Sequence, residues 1–112
     1  MALADEHCVA SRRGMVRLGE AEIRSLISAL PAWVLSTDHQ RIERDYRFKN
    51  FTEALAFVNE LGAIAESENH HPDLALGWGY VRVAFTTHDA GGLTRNDLIM
   101  AAKCEVLRAQ AV

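Results

Sequence analysis

The chain has 112 residues, 49% of them hydrophobic and 24% charged, with a formal net charge of -3. That suits one globular domain burying about two-thirds of its unfolded surface. No apolar run approaches the roughly 20 residues that span a bilayer, no N-terminal h-region suggests a signal peptide, and no basic stripe suits nucleic acid. Neither membrane nor nucleic acid is expected as a partner. Cys8 and Cys104 form no C-x-x-C pair, so a cytoplasmic location is expected.

Residues 1–18 show no clear hydrophobic period and carry Arg12, Arg13 and Arg17 around Gly14. They read as a flexible leader before a single domain over 19–112. From Gly19, the residues Ile23, Leu26, Ile27 and Leu30 recur at helical spacing until Pro31 stops them. Trp33 to Ser36 reads as a short strand, and Thr37-Asp38-His39 as a turn. Ile42, Tyr46 and Phe48 then alternate with Arg41, Glu43, Asp45 and Arg47, the pattern of a half-buried second strand in a hairpin.

The spacing predicts the strongest helix over Phe51–Glu68, with Phe51, Ala54, Leu55, Val58, Leu61 and Ala65 as its apolar stripe. At about 100° per residue, Glu66 lies within roughly 20° of Leu55. A carboxylate is thus expected on the core-facing stripe, near a helix C-terminus that disfavours negative charge.

A second hairpin follows. Gly79 as first central residue of a two-residue loop suits a type II′ turn. That register sets Trp78 against Val81, Leu76 against Val83 and Leu74 against Phe85, and continued past Pro72 it sets His71 against His88. Asp89-Ala90-Gly91-Gly92 reads as a turn, and Thr94 with Asp97 as the capping box of a last helix whose inner face is Leu98, Ala101, Ala102 and Val106. The expected fold is α+β: a four-stranded antiparallel sheet with helices packed on one face, in the order α-β-β-α-β-β-α.

Chemistry concentrates between Glu66 and Asp97, which holds three of the five histidines, His70, His71 and His88, with Trp78. Imidazole, with a reference pKa of about 6.5, both donates and accepts protons near neutrality. Three imidazoles could also hold zinc. Adjacent His70 and His71, however, point to opposite sides of an extended chain, and no H-x-x-x-H or C-x-x-C supplies another ligand pair. Acid–base catalysis without a metal is the expectation.

Glu66, His70-His71-Pro72, Trp78, His88 and Asp97, at their spacings, resemble the signature of the pterin-4-alpha-carbinolamine dehydratases. L-P-A-W at Leu30–Trp33, R-I-E-R-D-Y-R-F-K at Arg41–Lys49, A-L-A-F-V-N at Ala54–Asn59 and T-T-H-D-A-G-G-L-T at Thr86–Thr94 resemble its bacterial members, from about Leu18 to Leu107. The resemblance implies a hydro-lyase, a 4a-hydroxytetrahydrobiopterin dehydratase. Such an enzyme expels water from the 4a-hydroxy adduct left by aromatic amino acid hydroxylases and gives quinonoid dihydropterin, recycling the tetrahydrobiopterin. Pterin is then substrate and no cofactor is implied.

It further implies His70, His71 and His88 as catalytic residues, with acid and base unassigned, and Glu66 as a residue that orients or charges one of them. Thr86 and Thr87 would hold the pterin ring, while Pro72, Trp78 and Asp97 support the site. Animal members carry Cys at the position of Ala90, an aromatic at Leu74 and Arg at Asn96, the last on the site rim. A homodimer or homotetramer is implied; the animal members' role with a homeodomain factor is not carried over. Two alternatives stay open: a non-catalytic binding or dimerisation module on the same fold, and an enzyme of molybdopterin metabolism.

Overall fold

The computed structural model describes residues 2–9 and 16–110. After a 3-10 turn at Leu3–Asp5, the elements are α1 (Glu20–Ile27), β1 (Val34–Leu35), β2 (Ile42–Arg47), α2 (Phe51–Glu68), β3 (Asp73–Gly77), β4 (Tyr80–Phe85) and α3 (Arg95–Gln110), with a further 3-10 turn at His88–Ala90 before α3. The strands form one antiparallel sheet ordered β1-β2-β4-β3. This is the α+β arrangement read from the sequence. No helix among the described residues is long and apolar enough to cross a membrane.

Strand alternation sorts the sheet into two faces. Ile42, Tyr46, Val81, Val83 and Phe85 are buried and form the core with Ala54, Phe57, Leu61 and Ala65 of α2 and Leu98, Ala101 and Cys104 of α3. The other face carries Glu43, Asp45 and Arg82, linked by ion pairs. Buried Tyr46 donates its hydroxyl hydrogen bond to Glu105 of α3, which also receives Arg44.

On α3, Val106 is exposed and Leu107 takes the inner face instead; two registers also differ from the sequence reading. On α2, Phe57 is buried while Phe51 and Leu55 are exposed. The Phe57 ring packs on Tyr46 and Phe48, with centroids 4.9 and 5.2 Å away, and this large aromatic turns the helix so that Leu55 leaves the core. Glu66, close to Leu55 on the wheel, leaves with it and is exposed.

In the second hairpin, Leu74 pairs with Val83, Leu76 with Val81 and Gly77 with Tyr80. The loop is therefore Trp78-Gly79, with no positive φ at either residue, in place of a type II′ turn at Gly79-Tyr80. Gly77 accounts for the slip: a Cβ there would lie 2.0 Å from the Tyr80 ring, so this pairing lets the ring cover bare backbone. Same-face apolar pairing survives a shift of two. The opposition of His71 to His88 does not, because pairing stops at Asp73–Ala84 and His88 lies in a 3-10 turn.

Residues 2–9 of the expected flexible leader lie along α3 with specific partners. Arg95 forks onto Glu6 at 2.8 and 2.7 Å, and Lys103 donates to Ala4 O at 2.8 Å. Arg12, Arg13 and Gly14 lie outside the described residues.

Candidate active site

The end of α2 decides where two of the histidines go. Asn69 sits in the left-handed region (φ 54°, ψ 40°), and the His70 N–H reaches back to Ala65 O at 3.2 Å. This Schellman-type ending reverses the chain and delivers His70 inward and His71 outward.

His70 is buried over Phe85, their rings roughly parallel with centroids 6.3 Å apart. Its Nε2 lies 2.6 Å from Asp97 Oδ1, and Asp97 is fully buried. The other oxygen, Oδ2, accepts from the Thr87 hydroxyl at 2.7 Å and from the Thr94 N–H at 2.9 Å. The Thr94 bond is half of the capping box expected at the start of α3. The Thr94 hydroxyl turns instead to Thr87, at 2.9 Å. Asp97 thus ties together the start of α3, the segment after β4 and the imidazole. With Nε2–H donating to a carboxylate, the neutral His70 ring carries its lone pair on Nδ1.

His71 makes a second imidazole–carboxylate pair, Nε2 to Glu66 Oε1 at 2.7 Å, and both side chains are exposed. Pro72 then separates this pair from the first residue of β3. Thr86 donates its hydroxyl to Gln40 O at 2.5 Å, and Thr87 exchanges backbone hydrogen bonds with Gly92. Exposed His88 follows. It stands three residues past Phe85, a reach of at most about 10 Å, and Phe85 is the residue under His70. His70, Asp97 and Thr87 are thus joined directly, with His71–Glu66 next to them in the chain and His88 following Thr87. In each dyad, Nε2 faces a carboxylate.

Trp78 is elsewhere. It is 70% exposed at the β3–β4 loop, at the opposite end of β4 from Thr86, roughly 20 Å away for a six-residue strand. It does not pack against the histidines of its own chain. Asn96 is also not on the rim: it is buried, and its amide pairs with the main chain of Val9, Oδ1 accepting from N–H and Nδ2 donating to C=O, each at 2.9 Å. No hydrophobic period or short-range motif flags that contact.

The fold and the site thus define an α+β protein with two imidazole–carboxylate pairs at the end of α2, one buried and one exposed. Residues 16–107 match the family model described as pterin 4 alpha carbinolamine dehydratase, and the chain belongs to that family. A protein of Halorhodospira halophila, provisionally named a pterin-4-alpha-carbinolamine dehydratase, is 41% identical over 97% of this chain and all of its own. A crystal structure from Brucella melitensis, titled a transcriptional coactivator/pterin dehydratase, superposes with a TM-score of 0.77 at 32% identity, over 81% of this chain and 97% of that one. A pterin dehydratase-like protein described as a RuBisCO assembly factor in the alpha-carboxysome shares the fold, with a TM-score of 0.60 at 21% identity over 68% of this chain and 88% of that one.

Proposed function

We propose that this chain dehydrates a 4a-hydroxytetrahydropterin to the quinonoid dihydropterin plus water, regenerating the pterin used by aromatic amino acid hydroxylases. The reaction breaks the C4a–O bond as an acid protonates the leaving hydroxyl. A base takes the proton from N5, whose electron pair completes the C4a=N5 bond. The observation that carries this reading is the pair of differently housed dyads, His70–Asp97 buried and His71–Glu66 exposed, beside His88 within a stretch matched by the family model.

Asp97 fixes the ring orientation and tautomer of His70, while Glu66 orients His71. Histidines 70, 71 and 88 share the acid and base roles, and Thr86 and Thr87 with their backbone border the ring. No metal enters the scheme. A non-catalytic binding module would have no use for these dyads; an enzyme of molybdopterin metabolism would, and substrate preference separates that alternative.

The test is stopped-flow dehydration of synthetic 4a-hydroxytetrahydropterin with and without chelator. We expect turnover indifferent to chelator. His71→Ala and His88→Ala should each lower it by about 10²–10⁴-fold while circular dichroism stays unchanged. Full activity in both variants would remove these imidazoles from the mechanism. The same reading expects a homo-oligomer, and a monomer by light scattering at working concentration would count against it.

A further inference from the structure

The contacts of residues 6–9 fall on a narrow target. The Cys8 N–H donates to Glu68 Oε1 at 2.7 Å, and His7 Nδ1 lies 2.8 Å from Glu68 Oε2. The next residue, Val9, forms the two-point amide pairing with Asn96. Glu6 takes the bidentate fork from Arg95. Glu68 is the last residue of α2, two positions before His70, and Asn96 immediately precedes Asp97. Cys8 and Val9 therefore fasten together the last turn of α2 and the first turn of α3, the two places from which the His70–Asp97 dyad is built.

The fastening is specific. Asn96 is buried with both ends of its amide satisfied, and the Glu68 side chain, only 9% exposed, meets Cys8, His7 and, at 3.8 Å, Lys103. Buried polar groups satisfied this fully give a fixed geometry, and leaving one unpaired carries a large cost. The strap also lies outside residues 16–107, the part that matches the family model, yet its contacts reach into that part beside two site residues.

We propose that residues 6–9 form a positioning strap for the histidine site, and that Asn96 and Glu68 are positioning residues acting through Asp97 and His70. Without the strap, the α2 end and the α3 start lose their shared tether, and the 2.6 Å contact between His70 and Asp97 samples longer separations. Displacements of about 1 Å in a catalytic array cost up to about 100-fold, so a loosened dyad should lower kcat rather than substrate binding. The kinetic half of this proposal rests on the dehydratase reading; the structural half does not.

The experiment uses the full-length chain carrying Glu6→Gln and Val9→Pro, which alter only the strap, beside Asn96→Ala. Amide exchange at Cys8 should rise in both, and at Val9 in Asn96→Ala, where the N–H remains; a strap that stays protected overturns the assignment of these contacts. Long-range 1H–15N spectra of the His70 ring should show one tautomer, protonated at Nε2, in the parent chain and averaging of the two nitrogens in the variants. With the 4a-hydroxy substrate, kcat should fall about tenfold with KM within about twofold. A freed strap with an unchanged His70 spectrum and unchanged kcat would leave it a purely stabilising appendage and end the proposal. Altered ring spectra in a chain with no dehydratase activity at all would sustain the positioning role and overturn the reaction instead.

Discussion

The two imidazole–carboxylate pairs are nearly the same length, 2.6 Å for His70–Asp97 and 2.7 Å for His71–Glu66, yet they are different devices. The side chains of the first are 9% and 0% exposed, those of the second 52% and 79%. Water and salt screen the exposed pair, and such pairs contribute about 0–1 kcal/mol to stability. The buried carboxylate has no water to fall back on, so its three protein donors must all be present. One pair is part of the fold; the other rests on its surface.

Asp97→Ala gives the largest expected effect. It leaves His70, Thr87 and the Thr94 N–H without their acceptor, and we expect a loss of about 3–5 kcal/mol by denaturant titration. Glu66→Gln should change stability by less than about 1 kcal/mol while reducing turnover by about tenfold or more. Equal destabilisation by the two variants would break the contrast.

Acid sharpens the comparison at a third carboxylate. Burial works to raise the pKa of Glu68, but the Cys8 N–H, His7 and Lys103 outweigh it and hold the group below its ordinary 4.5. The Arg95 fork likewise lowers Glu6. A carboxyl with a folded pKa below its unfolded one stabilises fully above the unfolded value and loses that contribution as pH falls through the folded one. Strap protection should therefore hold from neutrality to about pH 4.5 and fade below it, read by amide exchange at Cys8 and Val9; loss already at pH 6 would contradict the assignment. Salt gives the smallest effect: raising ionic strength to 1 M cuts the Debye length to about 3 Å. It should weaken His71–Glu66, seen as a change in the His71 ring signals by NMR, and leave the His70 spectrum unaltered.

Much of the fold was legible because helical and strand periods are local. The run from Phe51 to Glu68 and the alternation through Arg41–Phe48 needed no partner to be read. The face of α2 was less so, since Leu55 and Phe57 both sit near a plausible stripe, and only the Tyr46 and Phe48 rings decide between them. The hairpin slipped by two because apolar residues alternate in either register, whereas the contact of Gly77 with the Tyr80 ring leaves no periodic trace. The importance of Glu66, His70, His71 and His88 could be suspected from spacing and resemblance, but not which imidazole is buried or which carboxylate each one faces. The strap was invisible for a simpler reason: its bonds join residues 60 or more positions apart in the chain.

Asn69 gives the fold a single lever over the direction of both imidazoles. At φ 54° its backbone is comfortable for glycine or asparagine and strained for β-branched residues. Exchange for glycine would preserve the reversal, whereas valine would swing the inward and the outward ring together. The two rings cannot be turned separately from this hinge; only the carboxylates that face them, Asp97 and Glu66, hold them independently.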